Sequence, residues 1–372
     1  MNSKLNKIAI VDLVGRGNGA MDYYDLALQS GFEKSNVDCY IYSNFKENEH
    51  CIKVFVEERK SSIQKVLNYL IGYTRALFLC KTKGIKVIIL HYFQGTVQDL
   101  FPYLLSKLLG LKTIVIVHDI VSMANNDIQA MKELILIKFS DHLVVHNQFS
   151  KQQLQEVISG KRKDEISVVH HGAFKQLTDD SITREIAREK LGLSSKAQYI
   201  LFFGKIKSTK GLDVLLNAMP KVNNDINLII AGNPWKDDFE KYQSIIDKFE
   251  LQHRVILNIS YISDQDREYY FKACDALILP YKEIFQSGVM LMALSYSLPI
   301  VASDLESNKE IIRHEENGML FRSEDSEDLA GQVNNLFADT KLLENVKGNC
   351  LKTIEEDYNW DKIAKQYIDI SN

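Results

Sequence analysis

The chemistry-bearing residues of this 372-residue chain gather in three glycine-punctuated loops and at the ends of several apolar runs. Phe203-Gly204-Lys205-Ile206-Lys207-Ser208-Thr209-Lys210-Gly211-Leu212 follows the strand-like YILFF and opens the helical LDVLLNAM. Lys205 and Lys210, five positions apart in such a loop, can converge on a diphosphate as mobile point charges, which matters when the diphosphate departs with added negative charge. The spacing is not that of a P-loop, which needs GxxxxGK[ST]. In Pro280-Tyr281-Lys282-Glu283-Ile284-Phe285-Gln286-Ser287-Gly288-Val289, Ser287 and Gly288 stand where a helix begins and can offer free N–H groups to an anion. Glu283 is the only carboxylate beside them, although an N-cap next to an ordinary surface Glu accounts for the same residues. Gly15-Arg16-Gly17-Asn18-Gly19 lets backbone amides approach a phosphate or a sugar hydroxyl, but its spacing is not GxGxxG and a plain tight turn reads equally well. His118-Asp119 closes the run TIVIV. His91 and His171 also end strands and are read as satisfied strand-end residues. Asp264-x-Asp266 could be a metal-binding DxD pair, but Ser263-x-x-Asp266 ahead of REYYFKACD is better read as a helix cap. No other His, Asp or Glu cluster has ligand spacing, so no essential metal is expected.

The elements that must position these loops are legible as short apolar runs alternating with helix-length segments. KIAIVDLV, VDCYIYS, VIILHYF, TIVIVHD, HLVVH and ISVVH occupy the first half, and YILFFG, NLIIAG, RVILNIS, ALILP and PIVAS the second. Nearly continuous apolar strands separated by helices indicate parallel sheets covered on both faces, hence two doubly wound α/β domains. Their boundary should fall between His170 and Tyr199, in the polar stretch after ISVVH. In such sheets ligands bind beyond the carboxyl ends of the strands, which is where all the loops above lie.

The chain's length suits two cores rather than one, and 45% hydrophobic with 25% charged residues excludes a disordered or fibrous protein. The opening residues lack a charged, apolar and small-residue leader pattern, and the five cysteines are widely spaced without a CxxC pair. A cytoplasmic location is therefore expected. The charge-free stretch 284–303 contains Gln, Ser, Gly and Pro, which fits a buried helix and strand better than a membrane span. Residues 1–172 carry 21 Lys and Arg against 17 Asp and Glu, and the remainder 24 against 32. Lys53, Arg59, Lys60, Lys65, Arg75, Lys81, Lys83 and Lys86 surround the apolar segment 66–80, which suits either an anionic membrane surface with peripheral attachment or a solvated helix face. Without a recognisable motif, a nucleic-acid partner is not expected.

Taken together, these motifs resemble the GT-B glycosyltransferases and, among them, the GT4-like family, over nearly the whole chain. FFGKIKSTKGLDVLLNAM is similar to that family's G-R-x(4)-K-G loop, with Lys205 in the usual arginine position and Lys210 matching the lysine. SYISDQDREYYFKACDALILPYKE, with Ile262, looks like its base-binding segment. SLPIVASDLESNKEII resembles the P-V-V-A-[ST]-x-x-x-G-x-x-E block, with Glu310 as the acidic residue and Glu306-Ser307 in place of the usual glycines. YNWDKIAKQYIDI resembles the terminal helix that crosses back to the first domain. The family's E-x7-E signature would fall on Ile284 and Met292; the chain is instead similar to a subgroup with P-Y-x-x-x-x-Q-S-G-V, in which Glu283 stands one residue away.

The resemblance implies two Rossmann-like domains facing a cleft, 1–172 on the acceptor side and 173–355 for the nucleotide sugar, with 356–372 as the returning helix. It implies a metal-independent transfer of a sugar, with retention, from a nucleotide diphosphate sugar to a hydroxyl of a glycan or lipid-linked acceptor. His118-Asp119 matches a His-[DN] pair common near that family's transferred sugar, where a histidine could bond a sugar hydroxyl or the growing charge on a phosphate oxygen, so His118 and Glu283 are the candidate catalytic residues. The candidate donor-binding set is Gly15, Gly17, Gly19, Lys205, Lys210, Ile262, Gln286, Ser287, Gly288, Val289 and Glu310. A non-hydrolysing sugar-nucleotide epimerase and a catalytically silent GT-B partner subunit remain alternatives.

Overall fold

The computed structural model describes residues 5–17, 21–56, 61–93, 97–118, 134–158, 163–235 and 238–372. Two compact units divide the chain: Met1–Gly172 together with Tyr358–Asn372, and Ala173–Asp357. In the first, β1 (Lys7–Val11), α1 (Asp22–Lys34), β2 (Asp38–Ser43), β3 (Cys51–Lys53), α2 (Ser62–Thr82), β4 (Val87–Tyr92), α3 (Leu100–Leu108), β5 (Lys112–Val117), β6 (His142–Val145), α4 (Gln148–Val157) and β7 (Ile166–Val168) follow one another. The strands form one sheet in the order β3-β2-β1-β4-β5-β6-β7, parallel throughout.

The second unit runs α5 (Arg184–Lys190), β8 (Gln198–Phe203), α6 (Leu212–Ala218), β9 (Ile226–Ala231), α7 (Glu240–Lys248), β10 (Val255–Asn258), α8 (Asp264–Ala273), β11 (Ala276–Leu279), α9 (Gly288–Ser295), β12 (Ile300–Ser303), α10 (Glu306–Lys309), β13 (Met319–Phe321), α11 (Ser326–Ala338) and α12 (Thr340–Asp357). Its sheet, also parallel, has the order β10-β9-β8-β11-β12-β13. The last helix, α13 (Trp360–Ser371), belongs with the first unit. In both sheets the winding direction reverses once, between β1 and β4 and between β8 and β11, leaving a crevice beyond those strand ends.

Period-two alternation explains how one strand feeds two cores. Ala9 and Val11 of β1 enter a cluster with Tyr69, Tyr73, Ala76 and Leu77 of α2. Ile8 and Ile10 enter another with Tyr24, Leu28 and Phe32 of α1 and with Trp360, Ile363 and Tyr367 of α13. Gly31 lets α1 and α13 approach, since a Cβ there would lie 2.5 Å from the Trp360 carbonyl oxygen. Ser61 starts α2 with a reciprocal cap: Gln64 N donates to Ser61 Oγ and Ser61 N to Gln64 Oε1.

The segment 284–303 contains a helix and a strand, α9 and β12, with Met290 to Ser295 buried. Among the described residues no helix is long and apolar enough to cross a membrane. The five cysteines are buried and free.

Candidate active site

In the second unit the lysine loop is shaped by its glycines. Gly204 (φ 107°) ends β8 and Gly211 (φ 68°) precedes α6; a Cβ on Gly211 would stand 1.7 Å from the Pro280 carbonyl oxygen. Only glycine permits that approach, so the loop after β8 is held against the end of β11. Lys282 N donates to the Thr209 carbonyl (2.9 Å) across the same contact. Lys210, partly buried, sets its Nζ 3.6 Å from the centroid of the Tyr281 ring, and the exposed Lys205 sets its Nζ 4.3 Å from that of Trp235. The buried Thr209 hydroxyl makes no hydrogen bond among the described residues.

Ser287 caps α9, its Oγ accepting from Met290 N (3.3 Å) and lying 3.5 Å from the Tyr281 hydroxyl. Lys210, Tyr281, Ser287 and the first-turn amides of α9 therefore share one place at the β8/β11 crevice. Val289 joins them, 3.8 Å from where a Gly204 Cβ would be. Gln286 is partly buried in the same loop, which Ser303 Oγ and Ser307 Oγ anchor by donating to the carbonyls of Tyr281 (2.7 Å) and Ile284 (2.8 Å). Lys282 is engaged elsewhere, donating to Asp213 Oδ2 at 2.8 Å. Glu283 is exposed and makes no hydrogen bond or ion pair among the described residues. Glu310 is exposed on the residue after α10, and Ile262 is partly buried between β10 and α8. The DxD residues serve the helix: Ser263 Oγ accepts from Asp266 N (3.0 Å), and Asp264 pairs with Arg267 (2.6 Å).

In the first unit, Asp12 closes the glycine loop by accepting from Val14 N (2.8 Å) and Gly15 N (2.6 Å). Gly15 (φ 48°) is packed against Asn44, whereas a Cβ on Gly17 would meet nothing within 4 Å. Gly19 and Asp119 lie outside the described residues, as do Arg59 and Lys60. His118, partly buried, follows β5 and stacks on Phe93 at 4.6 Å between centroids. Its Nε2 is 2.8 Å from His91 Nδ1, and His91 Nε2 is 3.0 Å from Asp25 Oδ1. Burial, helped by Asp12, pushes the Asp25 carboxyl up to about 7. Burial opposes a charge on His91, but the Asp25 carboxylate outweighs it and raises the imidazole above its ordinary value. Burial and the neighbouring histidines hold His118 well below the usual range. Beside His91 opens a cavity of about 340 Å³ lined by Asp12, Tyr69, Tyr73, Tyr92, Asp99 and Tyr103.

Residues 183–352 match the family model described as Glycosyl transferases group 1. Over its whole length the chain is similar to sucrose-phosphate synthase of Thermosynechococcus elongatus, with a TM-score of 0.78, 15% identity and 98% of each chain covered. Anabaena HepE, solved in complex with UDP-glucose, matches with a TM-score of 0.74, 17% identity and again 98% of each chain. Residues 183–352 are a group 1 glycosyl transferase domain. The fold is GT-B, as in these two solved structures. An uncharacterised glycosyltransferase of Methanocaldococcus jannaschii is 26% identical over 228 residues, which cover 59% of this chain and 58% of that one. The chain thus spans little more than half the length of the first curated relatives it matches.

Within the group 1 domain, sequence reasoning passed over Tyr281, the ring beneath Lys210, because an aromatic after a strand carries no signal of its own. In the first unit it passed over Asp25 and set His91 aside. A signal was present: the runs VIILH, TIVIVH, HLVVH and ISVVHH all end in histidine.

Proposed function

We propose that the chain moves a sugar from a nucleoside diphosphate sugar to an acceptor hydroxyl, without an essential metal and with retention at the anomeric carbon. The observation that carries this reading is the convergence of Lys210, Tyr281, Ser287 and the α9 amides at the β8/β11 crevice. Lys210 and Lys205 meet the diphosphate and stabilise the charge that grows as the sugar–phosphate bond breaks. The amides of Gly288 and Val289 bind the phosphates at the positive end of α9, with Gln286 beside them. Ile262 lines the base, and Glu310 and Glu283 orient sugar hydroxyls. From the first unit, Gly15, Gly17 and Gly19 supply backbone amides, and His118 meets the transferred sugar.

The acceptor is a glycan or a lipid-linked sugar. The cavity beside His91 suits a sugar ring: tyrosine faces for its C–H surface, and Asp12 and Asp99 for its hydroxyls. The Tyr92 hydroxyl, buried at its wall, makes no hydrogen bond among the described residues. The assay is nucleotide release from a panel of sugar nucleotides, with and without glycan acceptors. Acceptor-dependent release of one nucleotide supports the transfer. Epimerisation of the donor without net nucleotide release supports the epimerase reading, and silence across the panel the partner-subunit reading. In the same assay Glu283→Gln should lower turnover about tenfold with little change in nucleotide affinity. Full activity would make Glu283 a surface residue.

The reading extends to a cytoplasmic enzyme that attaches peripherally to anionic membrane. Ile63, Leu67, Ile71 and Phe78 of α2 are each at least half exposed, at spacings that share one helix face. Lys65, Arg75, Lys81 and Lys86 are exposed around them. Binding to anionic vesicles should be measurable at low salt and weaken steeply as salt rises. No binding at low salt would leave α2 as a solvated face.

A further inference from the structure

Four successive strands of the first unit, β4 to β7, each bring a histidine to the carboxyl end of the sheet: His91, His118, His146 and His171. Tyr24 of α1 lies against all four, with ring centroids 5.0 to 6.3 Å away. His146 and His171 spend Nδ1 on the carbonyls of Val169 (2.9 Å) and Gly172 (2.7 Å). His91 does something different. Its two nitrogens bridge Asp25 Oδ1 at 3.0 Å and His118 Nε2 at 2.8 Å, with the His91 and Asp25 side chains only 1% and 0% exposed.

A proton count decides what this row can do. With one proton between Asp25 and His91, the carboxylate accepts from His91 Nε2–H and His91 Nδ1 carries a lone pair. His118 must then donate from Nε2, and its own Nδ1 is an acceptor. With two protons, the second resting on the imidazole or on Asp25 Oδ1, His91 Nδ1 donates. His118 Nε2 then accepts, and the proton of His118 sits on Nδ1. The reversal requires the second proton on the ring or on the line between Oδ1 and Nε2, because a proton on Asp25 Oδ2 would leave His91 Nδ1 an acceptor.

We propose that Asp25 and His91 are positioning residues that set which ring nitrogen of His118 bears its proton, and so whether Nδ1 meets the donor as an acceptor or as an N–H. The proposal rests on the reading that His118 contacts the transferred sugar. Facing the pair are Asp12 beyond β1, Tyr24 of α1, Cys39 of β2, Cys51 of β3, and His118, His146 and His171. Burial keeps Tyr24 and both cysteines protonated near neutrality, raising Cys51 to about 11. It also keeps His118, His146 and His171 uncharged, the last two at about 3 and about 4. Asp12 is the remaining group, and its negative charge favours the second proton on the pair. With the Asp25 carboxyl raised to about 7, the second proton is gained as pH falls through neutrality.

Selective 15N-imidazole labelling reads the tautomer of His118 in the full chain without substrate. Wild type should show the His118 proton on Nε2 at about pH 8.5 and on Nδ1 at about pH 5.5. Asp25→Asn removes the carboxylate that favours the second proton, so His118 should keep one tautomer across that interval. In turnover, kcat of the wild type should change about tenfold over the same interval while Asp25→Asn stays level, with donor KM unchanged in both. If Asp25→Asn does not fold, His91→Gln serves: its amide can still bond His118 Nε2 but cannot bind the extra proton, and the reversal should again be lost. A wild type whose His118 tautomer does not reverse, or a variant in which the reversal persists, overturns the proposal. If the reversal is seen and lost as expected while His118→Ala turns over normally, the relay stands and the assignment of His118 to the sugar fails.

Discussion

Lys210→Ala should lower kcat/KM by about two orders of magnitude or more, the effect of about 3 kcal/mol of leaving-group stabilisation. The Lys210 ammonium lies over the Tyr281 ring, on a loop that Gly211 presses against Pro280. In the proposed transfer that placement sets the charge in advance, so little reorganisation is needed as the diphosphate departs. Lys207→Ala, three residues earlier and outside the matched motif, should change kcat/KM only a few-fold. Steady-state kinetics with the donor identified by nucleotide release checks both. Equal losses in the two variants would mean that the loop register is wrong and that neither lysine is singled out by its position.

Arg188→Ala should destabilise the second unit by about 3 to 5 kcal/mol, because the guanidinium it removes is buried and fully engaged. Arg188 is 3% exposed and donates to the carbonyls of Ala273 (2.9 Å), Ser194 (3.1 Å), Ser195 (2.9 Å) and Ala197 (3.0 Å), and to Asp275 Oδ2 (3.0 Å). Asp275 Oδ2 also accepts from Tyr199 N (2.8 Å), and Asp275 Oδ1 pairs with Arg184. One side chain thus ties α5, the start of β8 and the start of β11, and its loss strands carbonyls and half of a carboxylate without water. Arg188→Lys should recover only part, since an ammonium cannot span the fork. The two tryptophans fall one in each unit, so denaturant titration in a Trp360→Phe background reads the second unit through Trp235. A loss below about 1 kcal/mol would reduce the network to surplus contacts.

The fold was legible because parallel strands buried on both faces are written as apolar runs, and every run singled out is a strand of one of the two sheets. β3 and β13 were not. Each has three residues at an edge of its sheet, and CIK and MLF are too short to stand out from loop sequence. The lysine loop was legible for a related reason: glycines needed for positive φ bracket it in the sequence itself. The Asp25–His91–His118 row was not, because its members come from α1, β4 and the end of β5 and acquire meaning only when strand order places them side by side. Exposure is likewise a property of packing, which is why Glu283 reads from sequence as a site carboxylate while its surroundings in the fold offer it no partner among the described residues.

The return of α13 to the first unit reverses the usual order of maturation on the ribosome. Trp360, Ile363 and Tyr367 complete the face that α1 begins, with the Tyr24 and Tyr367 hydroxyls 3.0 Å apart across 343 residues of chain. All of Ala173–Asp357 is synthesised before that closure becomes possible. The unit translated first is therefore the last to be finished, and during elongation Tyr24, Leu28 and Phe32 stand uncovered on a nascent sheet. A chaperone that recognises apolar surface would find its substrate in the amino-terminal half for as long as the carboxyl-terminal half is being made.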